Sequence, residues 1–167
     1  YLGYPGCSMR DQDTYAMDVL ALIAGAGRSS RFYQTIKEEQ ELVYSIGAFS
    51  LTPMDNGAFL VELETDVEKI EDAIMAVMNE LTRFKTEPVS EEELETAKNK
   101  MIMEFIMRNQ TAEGIASTIG SDEVVAFDYL YSQRYIERIS SLTPEDLMEV
   151  ANRYFDVNKL NIAIQRP

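Results

Sequence analysis

The 167-residue sequence has few side chains that could carry catalysis, because it contains no histidine and a single cysteine, Cys7. Without an imidazole the chain cannot build a Ser-His-Asp triad or a histidine-containing zinc site, and no histidine is available to activate a cysteine nucleophile. We therefore expect Cys7 to be a structural thiol without an internal disulfide. Catalysis by this chain alone would depend on carboxylates, lysine or tyrosine, and we predict neither catalytic nor metal-ligating residues in it.

Two groups of charged residues open predicted helices. Glu92, Glu93 and Glu95 resemble metal ligands only superficially, because carboxylates without a histidine pair make a poor zinc site. We interpret them as exposed helix residues. Ser30 and Arg31 follow a glycine-rich bend and begin a helix, where a carboxylate or a peptide backbone could bind. The alternative for these two residues is a capped helix start with an exposed arginine.

The charge balance excludes nucleic acid as a partner. Fifteen basic and 29 acidic residues leave a net charge of −14, and such a surface repels a phosphate backbone. The acidic residues favour a solvated surface, with attraction of basic peptides as the alternative. No apolar run approaches the ~20 residues of a membrane-spanning helix, and no secretory signal opens the sequence.

The sequence predicts blocks of helix and strand. Apolar residues recur at three- and four-residue steps in the helical segments and at alternate positions in the strands. Ser90 and Glu93 form a predicted capping box, and Thr143 precedes Pro144 at another helix start. The predicted elements are a strand over 1–6, helices over 13–24 and from 29 or 30 to about 40, strands over 42–48 and 59–64 around a turn at 54–57, helices over 67–84, 91–106, 112–127, 131–140 and 144–154, and a strand over 160–164.

This order of elements predicts an α+β fold, in which one antiparallel sheet has helices packed on one face. The order of the strands within the sheet does not follow from the sequence. No internal repeat or flexible linker divides the chain, so we expect residues 1–167 to form a single domain. The first residue is Tyr1 and not methionine, from which we expect a piece of a longer protein.

Five segments resemble, in this order, the non-catalytic domain of zinc metallopeptidases of the pitrilysin/insulinase family. The segments are SRF at 30–32, LVYSI at 42–46, DNGAF at 55–59, VSEEEL at 89–94 and LTPEDL at 142–147. They span nearly the whole chain, and the first follows a helix that ends in a glycine-rich bend, as it does in the family.

The resemblance implies that this domain closes a chamber around an extended peptide substrate. The catalytic domain of such enzymes, fused or on a separate chain, carries the zinc in a His-x-x-Glu-His motif, so no cofactor is expected in this chain. The resemblance also implies that a basic residue and a tyrosine seven positions later contact the substrate. Here these residues are Lys37 and Tyr44, and lysine replaces the usual arginine, so that a point charge replaces a planar fork of donors.

The candidate substrate-binding residues are therefore Lys37, Tyr44, Ser30 and Arg31. Tyr44 could instead fill a face of the sheet.

An inactive structural or assembly subunit of the same fold, which binds protein partners without hydrolysis, is the alternative function. A homodimer that forms through an exposed apolar face is a further possibility. We expect a soluble protein, and the sequence does not distinguish between cytoplasm and periplasm.

Overall fold

The computed structural model describes residues 1–166, which form one sheet and a layer of helices. The strands are β1 (Leu2–Gly6), β2 (Ser45–Leu51), β3 (Gly57–Glu64) and β4 (Asn161–Ile162). The α-helices are α1 (Asp13–Gly25), α2 (Ile70–Thr86), α3 (Glu91–Arg108), α4 (Ala112–Ser121), α5 (Tyr131–Ser141) and α6 (Pro144–Tyr154). Two π-helical segments (Tyr33–Glu39 and Asp122–Ala126) and two 3-10 turns (Val67–Lys69 and Val157–Lys159) complete the described elements.

All strand pairs of the sheet are antiparallel, and the strand order is β2-β3-β1-β4. Val61 of β3 pairs with Ala48 of β2 on one side and with Leu2 of β1 on the other. Alternate residues such as Leu2, Phe59 and Val61 are at most 1% exposed. Because residues i and i+2 of a strand share a face, this burial marks the face that the helices cover. The predicted α+β fold with one antiparallel sheet is confirmed.

Helix α1 is the centre of the helical layer. Nine of its 13 residues are buried, and it contacts β2, α3, α5 and α6. Burial on nearly all sides is typical of a core helix. Tyr135 of α5 donates a hydrogen bond to Asp18 of α1 at 2.7 Å, and burial raises the pKa of that carboxyl to about 6. Every helix in the described part of the chain is too short or too polar to span a bilayer.

The predicted helix starts at Ser90 and Thr143 are confirmed by capping boxes. The Ser90 hydroxyl accepts a hydrogen bond from the Glu93 backbone N–H at 3.2 Å, and the Glu93 carboxylate accepts one from the Ser90 N–H at 3.0 Å. Thr143 and Asp146 make the same exchange. These bonds satisfy backbone donors that have no partner within the helix.

Strand β2 begins at Ser45, three residues after the predicted start. Glu41 has a left-handed backbone, with φ of 51°, and the Leu42 N–H donates to the Ile36 carbonyl at 3.0 Å. The chain therefore turns back against the preceding π-helical segment before it joins the sheet. The alternating apolar pattern that starts at Leu42 does not reveal this turn.

Two elements nearer the C-terminus also differ from the predictions. The last strand contains only Asn161 and Ile162 instead of residues 160–164, and it pairs with just Leu2 and Gly3 of β1. The helix predicted over 112–127 ends at Ser121 and continues as the π-helical turn Asp122–Ala126. Phe127 then has a left-handed backbone, with φ of 55°, which ends the helical path.

Helix α1 and strand β2 are in close contact at Gly25. An ideal Cβ on Gly25 would lie 2.1 Å from the Ala48 backbone nitrogen and 2.7 Å from the Ala48 Cβ. Backbone atoms cannot move aside as a flexible side chain can, so the contact requires glycine at this position.

We expect Gly25→Ala to lower the free energy of unfolding by roughly 2–3 kcal/mol, because its methyl group would force α1 away from β2. Gly120→Ala in α4 is the matched control, since a Cβ there meets no atom within 4 Å; it should leave stability unchanged or raise it by about 0.5–1 kcal/mol. Urea titrations followed by circular dichroism measure both changes. A Gly25→Ala variant as stable as the unaltered chain would contradict the prediction.

Candidate functional site

Lys37 and Tyr44 line the same groove on the protein surface. The groove has a volume of about 320 Å³ and lies where the first π-helical segment, the connection to β2 and the end of β3 meet. Its lining residues are Lys37, Glu38, Glu41, Leu42, Val43, Tyr44, Thr65, Asp66 and Lys69. The structure therefore brings together two of the four predicted substrate-binding residues.

Hydrogen bonds to the backbone fix the shape of the groove. The Leu42 carbonyl accepts from the Thr65 hydroxyl at 2.6 Å, and the Glu41 carbonyl accepts from the Lys69 ammonium at 2.9 Å. The Tyr44 N–H donates to the Glu64 carbonyl at 2.8 Å, which aligns the connection with the start of the sheet. The side chain of Tyr44 is thus carried by a backbone that is anchored on two sides.

The phenol of Tyr44 is exposed but engaged. The residue is 60% exposed, and its hydroxyl donates a hydrogen bond to Asp66 Oδ1 at 2.8 Å. This bond to the Asp66 carboxylate raises the pKa of Tyr44 above its ordinary value, so the phenol is neutral at physiological pH. A phenol has one hydrogen. In this state the Tyr44 oxygen can accept a hydrogen bond from a ligand, and it can donate one only by leaving Asp66.

Lys37 occupies the last turn of the first π-helical segment, and its ammonium lies 5.0 Å from the centre of the Tyr33 ring. Cation–π contacts of this kind at exposed sites contribute about 0.5–1 kcal/mol. The side chain is half-buried, and the neighbouring Ile36 is fully buried in the core. The core therefore holds the turn from which Lys37 reaches the groove.

The charges around the groove are mixed. Lys37 and Lys69 face three carboxylates, those of Glu38, Glu41 and Asp66. Ammonium and phenol groups beside carboxylates can bind the alternating carbonyl and N–H groups of a peptide backbone. In residues 1–166, no group of three or more His, Cys, Asp or Glu side chains is placed to hold a metal ion.

Ser30 and Arg31 lie outside this groove, at the start of the helical turn that leads into the π-helical segment. Ser30 is 3% exposed, and its hydroxyl donates to the Gly27 carbonyl at 2.7 Å. The Arg31 guanidinium donates to both oxygens of Glu93, at 2.8 and 2.9 Å, and lies 4.5 Å from the centre of the Phe84 ring. Ser30 thus closes the turn locally, whereas Arg31 connects it to α3 through Glu93 and to α2 through Phe84.

The sequence interpretation missed Asp66 and Lys69, which complete the groove. They follow β3, whereas Tyr44 precedes β2, and the two strands form an antiparallel hairpin. Pairing of Ser45 with Glu64 in that hairpin brings Asp66 near Tyr44. The two strands predicted around the turn at 54–57 were the signal that could have found Asp66, because a hairpin brings the residues before its first strand close to those after its second. The Lys69 side chain donates a hydrogen bond to the Glu41 carbonyl, and no pattern in the sequence predicts such a contact.

Comparison with known proteins identifies relatives of this domain. The family model described as "Peptidase M16 inactive domain" matches residues 1–101. A protein named "Uncharacterized zinc protease" in Rickettsia felis is 30% identical over 141 residues, which cover 84% of this chain and 34% of that protein. Cytochrome b-c1 complex subunit 2, mitochondrial, of Mus musculus is 24% identical over 152 residues, which cover 86% of this chain and 34% of it. The chain thus spans about a third of the length of either relative.

Solved structures share the fold. The peptidase M16 inactive domain from Pseudomonas fluorescens has a TM-score of 0.82 and 21% sequence identity, and the match covers 99% of this chain and 42% of that chain. A protease from Helicobacter pylori has a TM-score of 0.81 and 23% identity, with 95% of this chain and 38% of that chain covered.

The Arg31–Glu93 pair predicts a specific dependence of stability on pH. Hydrogen bonds from Arg31 lower the pKa of Glu93 from 4.5 to about 2. A carboxyl with a lowered pKa stabilises the fold above its ordinary pKa, and this contribution disappears as the pH falls towards 2. We expect Glu93→Gln to reduce the free energy of unfolding at pH 7 by on the order of 1 kcal/mol, since water screens a partly exposed carboxylate.

The measurement is a pair of urea titrations, for the unaltered chain and for Glu93→Gln, at pH 7 and near pH 2.5. The stability difference between the two proteins should be constant above about pH 5 and should shrink below the ordinary Glu93 pKa of 4.5. Glu92→Gln, at the exposed neighbouring position, is the matched control and should show no such trend. A difference for Glu93→Gln that is the same at both pH values would refute the structural role of the pair.

Proposed function

The chain belongs to the family of peptidase M16 inactive domains, and from this premise we propose that it is the non-catalytic half of a zinc-dependent metalloendopeptidase. In this proposal residues 1–167 are one domain that closes a chamber over an extended peptide. The observation that carries it is the groove that Lys37 and Tyr44 line together, although they are seven positions apart and belong to different segments.

The partner in this proposal is a catalytic domain, fused to this one or on a separate chain. Inactive domains of the family pair with catalytic ones, and several relatives are named zinc proteases. Zinc bound by histidines of that partner would activate a water molecule for attack on the peptide bond. The peptide would lie extended between the halves and add as a strand to a sheet edge of the partner.

When a substrate binds, the Tyr44 hydroxyl would exchange its present hydrogen-bond acceptor, Asp66, for an acceptor on the peptide. Its hydrogen is donated to Asp66 in the unbound domain, and a substrate carbonyl or a developing oxyanion would take the place of that carboxylate. Hydrogen bonds to charge that develops in the transition state accelerate a reaction more than bonds to the ground state. Asp66 would keep the phenol at the groove until the peptide arrives.

Lys37 would bind a peptide carbonyl from the other side of the groove. Its ammonium rests over the Tyr33 ring, and it would bind as a compact charge in place of the bidentate fork of an arginine. Ser30 and Arg31 would support substrate binding indirectly, because they anchor the turn that leads to Lys37 through Gly27 and Glu93.

A structural or assembly subunit is the second candidate function. The similarity to a protein named as a subunit of the cytochrome b-c1 complex favours it, since the same domain can occur in a protein named for its place in a complex. The complete coding sequence separates the two candidates. A His-x-x-Glu-His segment in the same chain, or in a chain encoded beside it, favours the peptidase.

We expect Tyr44→Phe in the complete enzyme to lower kcat by a factor of ten or more, because loss of one oxyanion-binding donor costs at least about 10²-fold in well-studied hydrolases. The measurement is steady-state cleavage of a fluorogenic peptide by the complete enzyme. The phenol is exposed, so the variant should unfold at the same urea concentration as the unaltered protein.

Tyr1→Phe is the matched control for this variant. Tyr1 is 53% exposed, and its hydroxyl donates to the Glu62 carboxylate at 2.9 Å, but it does not line the groove. Its replacement should leave kcat unchanged. If Tyr44→Phe cleaves the peptide as fast as Tyr1→Phe does, Tyr44 has no role in the reaction.

A further inference from the structure

Residues 101–130 form a helical arm that contributes almost nothing to the core. The arm consists of the second half of α3, all of α4 and the π-helical turn that follows. Its single buried residue is Asp122, and no apolar residue between 101 and 130 is buried. By contrast, the first half of α3 buries Leu94 and Ala97. Helix α3 thus passes from the core into a region where Met103, Ile106 and Met107 are exposed, while its other large apolar residues are only partly buried.

The exposed apolar residues of the arm, together called the apolar stripe, recur along both of its helices. Met103 and Met107 are spaced by four residues on α3, as are Ile115 and Ile119 on α4, and residues four apart lie on one face of a helix. The large exposed apolar and aromatic side chains of the arm are Met103, Ile106, Met107, Ile115, Ile119, Val124, Phe127, Tyr129 and Leu130. Exposed apolar groups gathered in this way mark protein interaction surfaces.

Close packing and hydrogen bonds hold the arm in shape. Gly114 packs against the end of α3 so closely that an ideal Cβ would lie 2.0 Å from the Arg108 carbonyl oxygen, and its N–H donates to the Thr111 hydroxyl at 3.0 Å. At the other end, the Asp122 carboxylate accepts hydrogen bonds from the N–H and hydroxyl of Ser132, at 2.9 and 2.7 Å. These contacts hold the apolar stripe in place before any partner binds.

We propose that the helical arm is the surface on which the zinc-bearing domain docks. This inference rests on the proposed function for the identity of its partner. The relatives named zinc proteases contain most of their length outside the region that matches this chain, which covers 33–40% of them. That additional length can supply a folded domain large enough to cover the stripe, and methionine side chains adapt well to an apolar partner.

Charge argues against a second copy of this chain as the occupant. The exposed charged residues of the arm include three glutamates, Glu104, Glu113 and Glu123, against the single arginine Arg108. A symmetric contact between two copies would bring the same patch of each against the other, and like charges brought together across an interface oppose association.

The experiment compares hydrogen exchange of the α4 amides in the complete protein and in this 167-residue chain. We expect at least tenfold slower exchange in the complete protein, because docking covers the arm. The variant Met107→Glu with Ile119→Glu should abolish the additional protection. Both positions are exposed, so the same variant should leave the urea midpoint of the 167-residue chain unchanged.

The matched control is Met75→Glu with Val157→Glu, which adds the same charge at positions that are 54% and 57% exposed and lie outside the arm. The proposal would be overturned if the α4 amides exchanged equally fast in the complete protein and in the 167-residue chain. It would also be overturned if the two double variants changed this exchange by the same amount. Concentration-dependent protection in the 167-residue chain would assign the arm to a second copy. Protection in a complete protein that binds no zinc would also overturn it.

The outcome is separable from the role of Tyr44. If the arm is protected in the complete protein but Tyr44→Phe leaves peptide cleavage unchanged, the docking proposal stands and the substrate role of Tyr44 is refuted. The reverse result retains the substrate role of Tyr44 and refutes docking on the arm.

Discussion

The close contact between Gly25 and Ala48 determines where the groove lies. Helix α1 ends against β2 at this point, and the chain then leaves through Gly27, whose φ is +94°. It forms the first π-helical segment and returns to β2 through the left-handed Glu41. The loop thus starts at this contact and ends at Ser45, three residues before Ala48. Lys37 and Tyr44 are both carried on this closed path, so their common groove follows from the packing of α1 on the sheet.

The ion pair between Arg31 and Glu93 fixes this path to the helical layer. A partly buried ion pair stabilises a fold only when hydrogen bonds offset the loss of solvation. Here the pair has two parallel hydrogen bonds, and Glu93 also accepts from Ser90 at the start of α3. One carboxylate therefore caps α3 and holds the segment that leads to Lys37. The pKa of Glu93 is lowered because its carboxylate accepts hydrogen bonds from both Arg31 and Ser90.

Signals within short segments predicted the helix starts at Ser90 and Thr143 and the fold class, whereas features that depend on particular backbone contacts or on pairing between segments were not predicted. The capping boxes at Ser90 and Thr143 involve residues three positions apart, and the structure confirms both. The start of β2 depends on a bond from Leu42 to Ile36 and on one conformation of Glu41, which the apolar pattern does not encode. Neither the strand order nor Asp66 had a local signal, because both arise from pairing between separate segments.

Helix α3 connects the two surfaces for which functions are proposed. Glu93, in its first turn, holds Arg31 and the path to the groove, while Met107, near its end, belongs to the apolar stripe of the arm. Fourteen residues of α-helix separate them, a distance of about 21 Å at 1.5 Å per residue. A helix of this length is rigid compared with a loop. A partner docked on the arm would therefore set the position of the groove relative to its own zinc, without any direct contact to Lys37 or Tyr44.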